Sequence, residues 1–317
     1  MKKFFGFLFI AVLLCFSAYG IYSWNESQRF CIESPMQDLE YKTQIIKSSH
    51  NPLYRLEKLR PLVGESELAE FIKTNDDNPK IYAADDNFRA SLHMHTTNSD
   101  GRLTVEEMLD QAEALAKELC KGNEYLYIAI TDHNTVNGAK ELIRILQKNK
   151  YSKIKVIAGM ELYTAYNNSK FSKEPVQIHV LALCINPYDE FLNKEFYKKN
   201  KYERYNHRYP VERDFDELIG YMKNYAIVGI AHPILYTLDI EDKYSYMEEM
   251  FNRYKKAYGT EKPAFTEAYY QSYRDKTKLR LGDEYEKYLN YITDTSHKMG
   301  IIRTGSMDTH GTNIRGR

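Results

Sequence analysis

Ser91-Leu92-His93-Met94-His95-Thr96, followed closely by Ser99-Asp100-Gly101, is the stretch on which the reading of this chain turns. Side chains two apart on an extended strand leave the same face, so His93 and His95 can reach one point together and chelate a single ion. A nearby carboxylate, Asp100, completes a set of nitrogen and oxygen donors suited to a divalent metal. The rest of the chain repeats this chemistry at intervals. Ile130-Thr-Asp-His133, Gly159-Met-Glu161, Gln177-Ile-His179, Ile230-Ala-His-Pro233 and Ser306-Met-Asp-Thr-His310 each place an imidazole or a carboxylate in or just after a short apolar run.

Those apolar runs set the fold class. From Phe88 onward, strand-like segments alternate with amphipathic helical ones, the pattern of parallel βα units. Strands are expected at Arg89–His95, Leu126–Thr131, Lys155–Glu161, Val176–Leu183, Ala226–Ala231, Ala264–Tyr269 and Ile301–Ser306. The intervening helices are well marked. Thr104 and Glu107 form a capping box, and Val105, Met108, Leu109, Ala112, Leu115, Ala116 and Leu119 keep a helical stripe until Gly122. The spacing predicts an α/β fold, a seven-stranded (β/α)7 barrel close to the eight-stranded type. Five strands then deliver a ligand at or past their carboxyl end, the catalytic face of such barrels. His179 falls inside its strand, deeper than the others.

In order along the chain, the paired histidines with Ser99-Asp100-Gly101, Thr131-Asp-His-Asn134, the strand-end Glu161 and the terminal Asp308-x-His310 resemble the polymerase-and-histidinol-phosphatase (PHP) family of metal-dependent phosphoesterases, a distorted TIM-like barrel, over about residues 88–310. Its exported members are the nearest analogy. The resemblance implies two or three divalent ions, zinc, manganese or iron. One would be held by His93, His95, Glu161 and Asp308, a second by Asp100, His133 and His310, and a third by Glu161, His179 and His232, with Glu161 bridging. Met307 lengthens the family's usual Gly-Ser-Asp approach by one residue. The chain also runs only to Arg317 after the seventh strand, so the tail Thr312–Arg317 is expected near the site.

Each histidine alone is more ordinary as a core or surface residue. Together, clustered imidazoles and carboxylates at one barrel end would repel or stay unsatisfied without cations. His50, His207 and His297 match no motif and are read as surface residues. Asp132 is a candidate to orient a ligand imidazole, its alternative being a turn-capping aspartate. Glu267 is a candidate substrate or supporting residue, and Arg102, Arg303 and Arg315 are candidates for pairing with phosphate oxygens, each otherwise a solvated surface charge.

A water shared between closely spaced cations loses its proton near neutrality and becomes a nucleophile, which points to hydrolysis of a phosphate ester. A carboxylic ester or amide hydrolase, or a non-catalytic metal-binding scaffold of the same fold, stay open beside it. The expected substrate is a small phosphorylated molecule or a short nucleotide. With 44 basic and 44 acidic residues, the chain projects no field favouring a stable nucleic-acid partner or an anionic surface.

Lys2 and Lys3 precede the uncharged Phe4–Trp24, a signal peptide or membrane anchor that leaves the rest of the chain outside the cytoplasm: periplasmic, secreted, or anchored in the inner membrane facing outward. Residues 25–87 read as an N-terminal extension with one helix near Glu65–Lys73, and residues 88–317 as the barrel. The four cysteines have no zinc or disulfide spacing, and the 28 tyrosines read as packing and half-buried surface.

Overall fold

The structure is a computed structural model that describes residues 56, 59–148, 150–168, 170–173, 175–196, 213–270 and 274–315. The leader and the first half of the N-terminal extension lie outside the described residues, as do His50 and His207. Among the described residues, no helix is long and apolar enough to cross a membrane.

Seven strands form one sheet in chain order: β1 (Ala90–Ser91), β2 (Leu126–Ile130), β3 (Ile154–Tyr166), β4 (Val176–Leu183), β5 (Ile227–Ile230), β6 (Phe265–Tyr270) and β7 (Ile302–Ser306). The sheet curls until its ends meet at the carboxyl-end rim, where Met94 bridges Thr309 and His95 N–H donates to Thr309 O at 3.0 Å. The helices are α1 (Glu65–Thr74), α2 (Val105–Leu119), α3 (Asn137–Leu146), α4 (Glu190–Phe196), α5 (Phe215–Met222), α6 (Lys243–Tyr258), α7 (Arg274–Leu281) and α8 (Glu284–Lys298). This is the expected α/β barrel.

One expectation is corrected. The βα units are not all parallel: β4 runs antiparallel to both β3 and β5. Residues 167–175 between β3 and β4 are too few for the dozen or so that a parallel crossover needs, so the chain turns back as a hairpin. The same hairpin carries β3 on to Tyr166, past the expected end at Glu161. Glu161 therefore sits within the strand, opposite Leu181. Because β4 is reversed, its amino-terminal half lies at the end of the barrel where the other strands finish. That is how His179, early in β4, reaches the mouth.

Two apolar layers hold the barrel. Outside, α2 buries the stripe Val105, Met108, Leu109, Ala112, Leu115, Ala116 and Leu119, and its Thr104–Glu107 capping box is formed. α6 buries Tyr246, Met247, Met250, Phe251, Tyr254 and Tyr258. Two of these tyrosines have their hydroxyls engaged: Tyr254 Oη donates to Val228 O at 2.6 Å and accepts from Phe265 N–H at 3.1 Å, and Tyr258 Oη accepts from Val228 N–H at 3.2 Å. Inside, a second cluster fills the lumen with Ala90, Leu92, Ala129, Ile157, Leu181, Leu183, Ile227, Ala231 and Phe265.

The amino-terminal end of the lumen is closed by α1. Its Leu68 and Ile72, four apart on one face and fully buried, join Ile81 and Tyr82 against the inner cluster. Burying each such side chain contributes roughly 1.5–3 kcal/mol. The turn after α1 is fastened by Arg303 of β7, whose Nε donates to Asp76 Oδ1 at 2.9 Å and whose guanidinium also pairs with Asp77. Arg303 therefore serves the closed end and not the mouth, which corrects the expectation that it could meet substrate.

Candidate metal centre

The regular ladder of β1 stops at Ser91, yet Met94 stays fixed to β2 because Thr131 N–H donates to Met94 O at 2.9 Å and Met94 N–H to Thr131 Oγ1 at 2.9 Å. Flanking that anchor, His93 and His95 are both fully buried with their Nε2 atoms 2.9 Å apart. The next turn delivers Asp100. Gly101 makes this possible: a Cβ there would lie 2.1 Å from His95 O, so only glycine lets the loop fold so closely over the strand.

Glu161 is the hub. Its Oε2 lies 2.7 Å from His133 Nδ1, 3.1 Å from His93 Nε2 and 3.3 Å from His95 Nε2; its Oε1 lies 2.7 Å from His179 Nδ1 and 3.1 Å from His232 Nε2. Asp308 Oδ1 approaches His95 Nε2 at 3.1 Å and His93 Nε2 at 3.4 Å. Asp100 takes the outer side, 3.5 Å from His133 Nε2 and 3.2 Å from His310 Nε2. All nine residues expected as metal ligands thus gather at the mouth, through contacts that join strands far apart in sequence.

Three subsets bring their donor atoms close enough to share an ion: His95, Asp100, His133 and His310; His93, Glu161 and His232; and His93, His95 and Asp308. The first contains the expected Asp100/His133/His310 set with His95 added. His179 belongs to none of the three and reaches the cluster through Glu161 Oε1, while its Nε2 lies 3.2 Å from the Gln177 amide. Asp308, despite the additional Met307, meets the histidine pair by adopting a left-handed φ of 43°. Asn134 (φ 47°) and His232 (φ 26°) share that region of backbone space, so strained residues concentrate around the mouth.

The donor set fits divalent cations. Glu161 Oε2 is buried with three imidazole nitrogens around it, yet makes no hydrogen bond, and a cation shared with those nitrogens would satisfy it. The charges say the same. Burial alone would strip the proton from His93, but Glu161, Asp308 and Glu267 outweigh it and hold its pKa well above the ordinary imidazole value. His133 is likewise pushed up to about 10, burial being overcome by Glu161 and Asp100. Burial wins at His179, which falls to about 4 against the pull of Glu161. Burial would raise Glu161, Asp308 and Asp100, but the neighbouring imidazoles hold all three below the usual carboxylate range.

Two further candidates have support roles in the geometry. Glu267, buried at β6, lies 3.2 Å from His93 Nδ1 and accepts from His232 N–H at 2.9 Å, both through Oε2. A carboxylate can only accept, so this contact places a proton on His93 Nδ1 and leaves Nε2 as the ring nitrogen that faces the cluster. Asp132 makes no hydrogen bond to an imidazole among the described residues: its carboxylate accepts from Thr96 N–H at 2.7 Å, Thr96 Oγ1 at 2.8 Å and Ser99 Oγ at 2.7 Å, which fastens the loop that carries Asp100. This is the turn-capping alternative. Gly138 leaves room for it, since a Cβ there would fall 1.8 Å from Asp132 Oδ2.

Arg102 is exposed on the Asp100 loop. The tail beyond His310 packs on α2, where Gln111 Nε2 donates to Thr312 O at 3.1 Å and Ile314 N–H to Gln111 Oε1 at 3.3 Å. His297 is exposed on α8. Sequence reasoning missed Tyr163, whose ring stacks on His179 at 4.2 Å, and Tyr236, whose Oη accepts from His179 N–H at 2.8 Å. An aromatic two residues after Glu161 was the available signal for Tyr163.

Fold and site together define a class: a seven-stranded barrel with a mouth lined by histidines and carboxylates whose donor atoms could hold a metal ion. The sequence profile of the PHP domain family matches residues 91–265, more than half of the chain, and the chain belongs to that family. Among solved structures it is similar to a two-domain protein from Bacteroides vulgatus described as containing a predicted PHP-like metal-dependent phosphoesterase, with 12% identity and a TM-score of 0.38, over 71% of this chain and 52% of that one. The chain thus spans about half the length of that relative. No curated protein matches it.

Proposed function

We propose that this protein is an exported, metal-dependent phosphoesterase that hydrolyses a small phosphorylated molecule or short nucleotide at a multinuclear centre. The observation that carries the reading is Glu161, a fully buried carboxylate shared among five imidazoles, with Asp308 and Asp100 on either side. His93, His95 and Asp308 would hold one ion, Asp100, His133 and His310 a second, and Glu161 with His232 and His179 a third. Mixed nitrogen and oxygen donors of this kind suit zinc, manganese or iron. When bound, such ions supply Lewis acidity, which activates water and offsets the charge of a phosphoryl group.

The chain's own residues prepare the site. Glu267 fixes the tautomer of His93, and Asp132 holds the loop that presents Asp100. The strained backbone at His232 and Asp308 aims both side chains inward. Elemental analysis of the purified protein, with a panel of p-nitrophenyl phosphate, bis-p-nitrophenyl phosphate, short nucleotides and p-nitrophenyl acetate, tests the reading. Cleavage of the acetate alone would make this a carboxylic ester hydrolase; bound metal without any turnover would make it a scaffold. His93→Ala and Glu161→Ala should abolish turnover and lower metal content.

Export rests on Lys2, Lys3 and the apolar Phe4–Trp24. A reporter fused after Asn87 that works only in the cytoplasm would overturn it.

A further inference from the structure

Tyr236 lies in the 3-10 turn Pro233–Thr237 that immediately follows His232. The pairing of β4 with β5 ends at Val180 opposite Ile230, and beyond it the His179 N–H is met by Tyr236 Oη at 2.8 Å. One lone pair of the hydroxyl is thereby used. Unlike Tyr254, which both donates and accepts, Tyr236 has no acceptor for its phenolic proton among the described residues. Its half-buried ring lies 5.4 Å from the ring of His232 and 5.7 Å from that of His179, the two imidazoles on Glu161 Oε1.

A hydroxyl whose oxygen is pinned and whose proton is uncommitted, beside a metal-ligand cluster, is arranged to donate to whatever enters. We propose that Tyr236 Oη donates a hydrogen bond to a non-bridging oxygen of the substrate's phosphoryl group on the His179/His232 side of the mouth, an inference that rests on the phosphoesterase reading. The backbone bond from His179 fixes the oxygen in advance, so the donor needs little reorganisation as charge grows on the phosphoryl oxygens. Tyr236 keeps its proton throughout.

The test compares wild type with Tyr236→Phe, each loaded with manganese or zinc. Turnover of an aryl and an alkyl phosphate is measured alongside affinity for inorganic phosphate and metal stoichiometry. Loss of an oxyanion donor should lower kcat about 100-fold, equally for both leaving groups, and weaken phosphate binding at unchanged metal content. Turnover and phosphate affinity within about twofold of wild type would overturn the role of Tyr236 and leave the phosphoesterase reading standing. Wild type that neither cleaves phosphoesters nor binds phosphate would remove that reading, and this inference with it. Should the variant lose metal or fold poorly, a structure of the metal-loaded wild type with orthovanadate decides. Tyr236 Oη within about 3.2 Å of a vanadate oxygen supports the assignment, and a separation beyond about 4 Å refutes it.

Discussion

Replacing Glu267 by glutamine isolates the contribution of one acceptor to metal affinity. Glu267 Oε2 meets His93 Nδ1–H at 3.2 Å and His232 N–H at 2.9 Å, so a single oxygen engages a ring just past β1 and a left-handed backbone just past β5. Glutamine keeps the volume and one carbonyl oxygen but loses the charge. A hydrogen bond to a charged group contributes about 1.5–3 kcal/mol and a neutral one about 1, which leaves a deficit of roughly 0.5–2 kcal/mol. Since about 1.4 kcal/mol is tenfold in affinity, Glu267→Gln should weaken metal binding on the order of tenfold. That falls at the low end of the 10- to 100-fold typical for residues supporting a metal ligand. Glu267→Ala strands both donors and should reach the upper end, with a lower Tm. Competition against a chromogenic chelator measures both. Wild-type zinc or manganese affinity in both variants would refute the claim that Glu267 organises the centre.

Other outcomes follow from the same geometry. Asp132→Ala leaves Thr96 and Ser99 donors unmet and should cost about 2–3 kcal/mol in denaturant unfolding, with weaker binding of the ion nearest Asp100. Gly138→Ala drives a methyl into Asp132 Oδ2 and should destabilise by about 1–3 kcal/mol, an effect that vanishes if unfolding midpoints match wild type. In metal-free protein, His133 binds its proton more tightly folded, near 10, than the ordinary 6.5; its stabilisation is complete below 6.5 and is lost as pH rises toward 10. His179, depressed to about 4, works in the opposite sense: protonation favours the unfolded chain as pH falls from 6.5 toward 4. The Tm of chelator-treated protein should therefore peak near neutrality, and a Tm that climbs steadily to pH 9 would contradict the charge balance around Glu161. Restoring zinc or manganese at about 100 times its dissociation constant should add about 2.7 kcal/mol, read as a higher Tm.

The strands and ligands were legible because both leave local marks: β-branched apolar runs bounded by turn residues, and histidines at their ends. The direction of β4 was not. Alternating burial has a period of two whichever way a strand runs, and only the shortness of residues 167–175 hinted at a hairpin. The reversal in turn explains His179, which seemed too deep for a carboxyl-end site when read as part of a parallel strand. Arg303 and Asp132 resisted for a different reason. Their partners, Asp76 and the Thr96–Ser99 loop, are distant in sequence, and a charged residue near a ligand motif looks the same whether it faces substrate or braces a turn. Tyr236 was hidden among 28 tyrosines, seven of which lie in α6 and α8 as packing residues.

Because α1, Ile81 and Tyr82 stopper the lumen while the ligands ring its far end, the barrel is a blind alley. In the proposed reaction, ester, water, ions and the released phosphate would all share one doorway. Traffic must then be sequential: an outgoing orthophosphate occupies the same threshold that the next guest needs, so accumulated product should slow turnover by competing directly for entry.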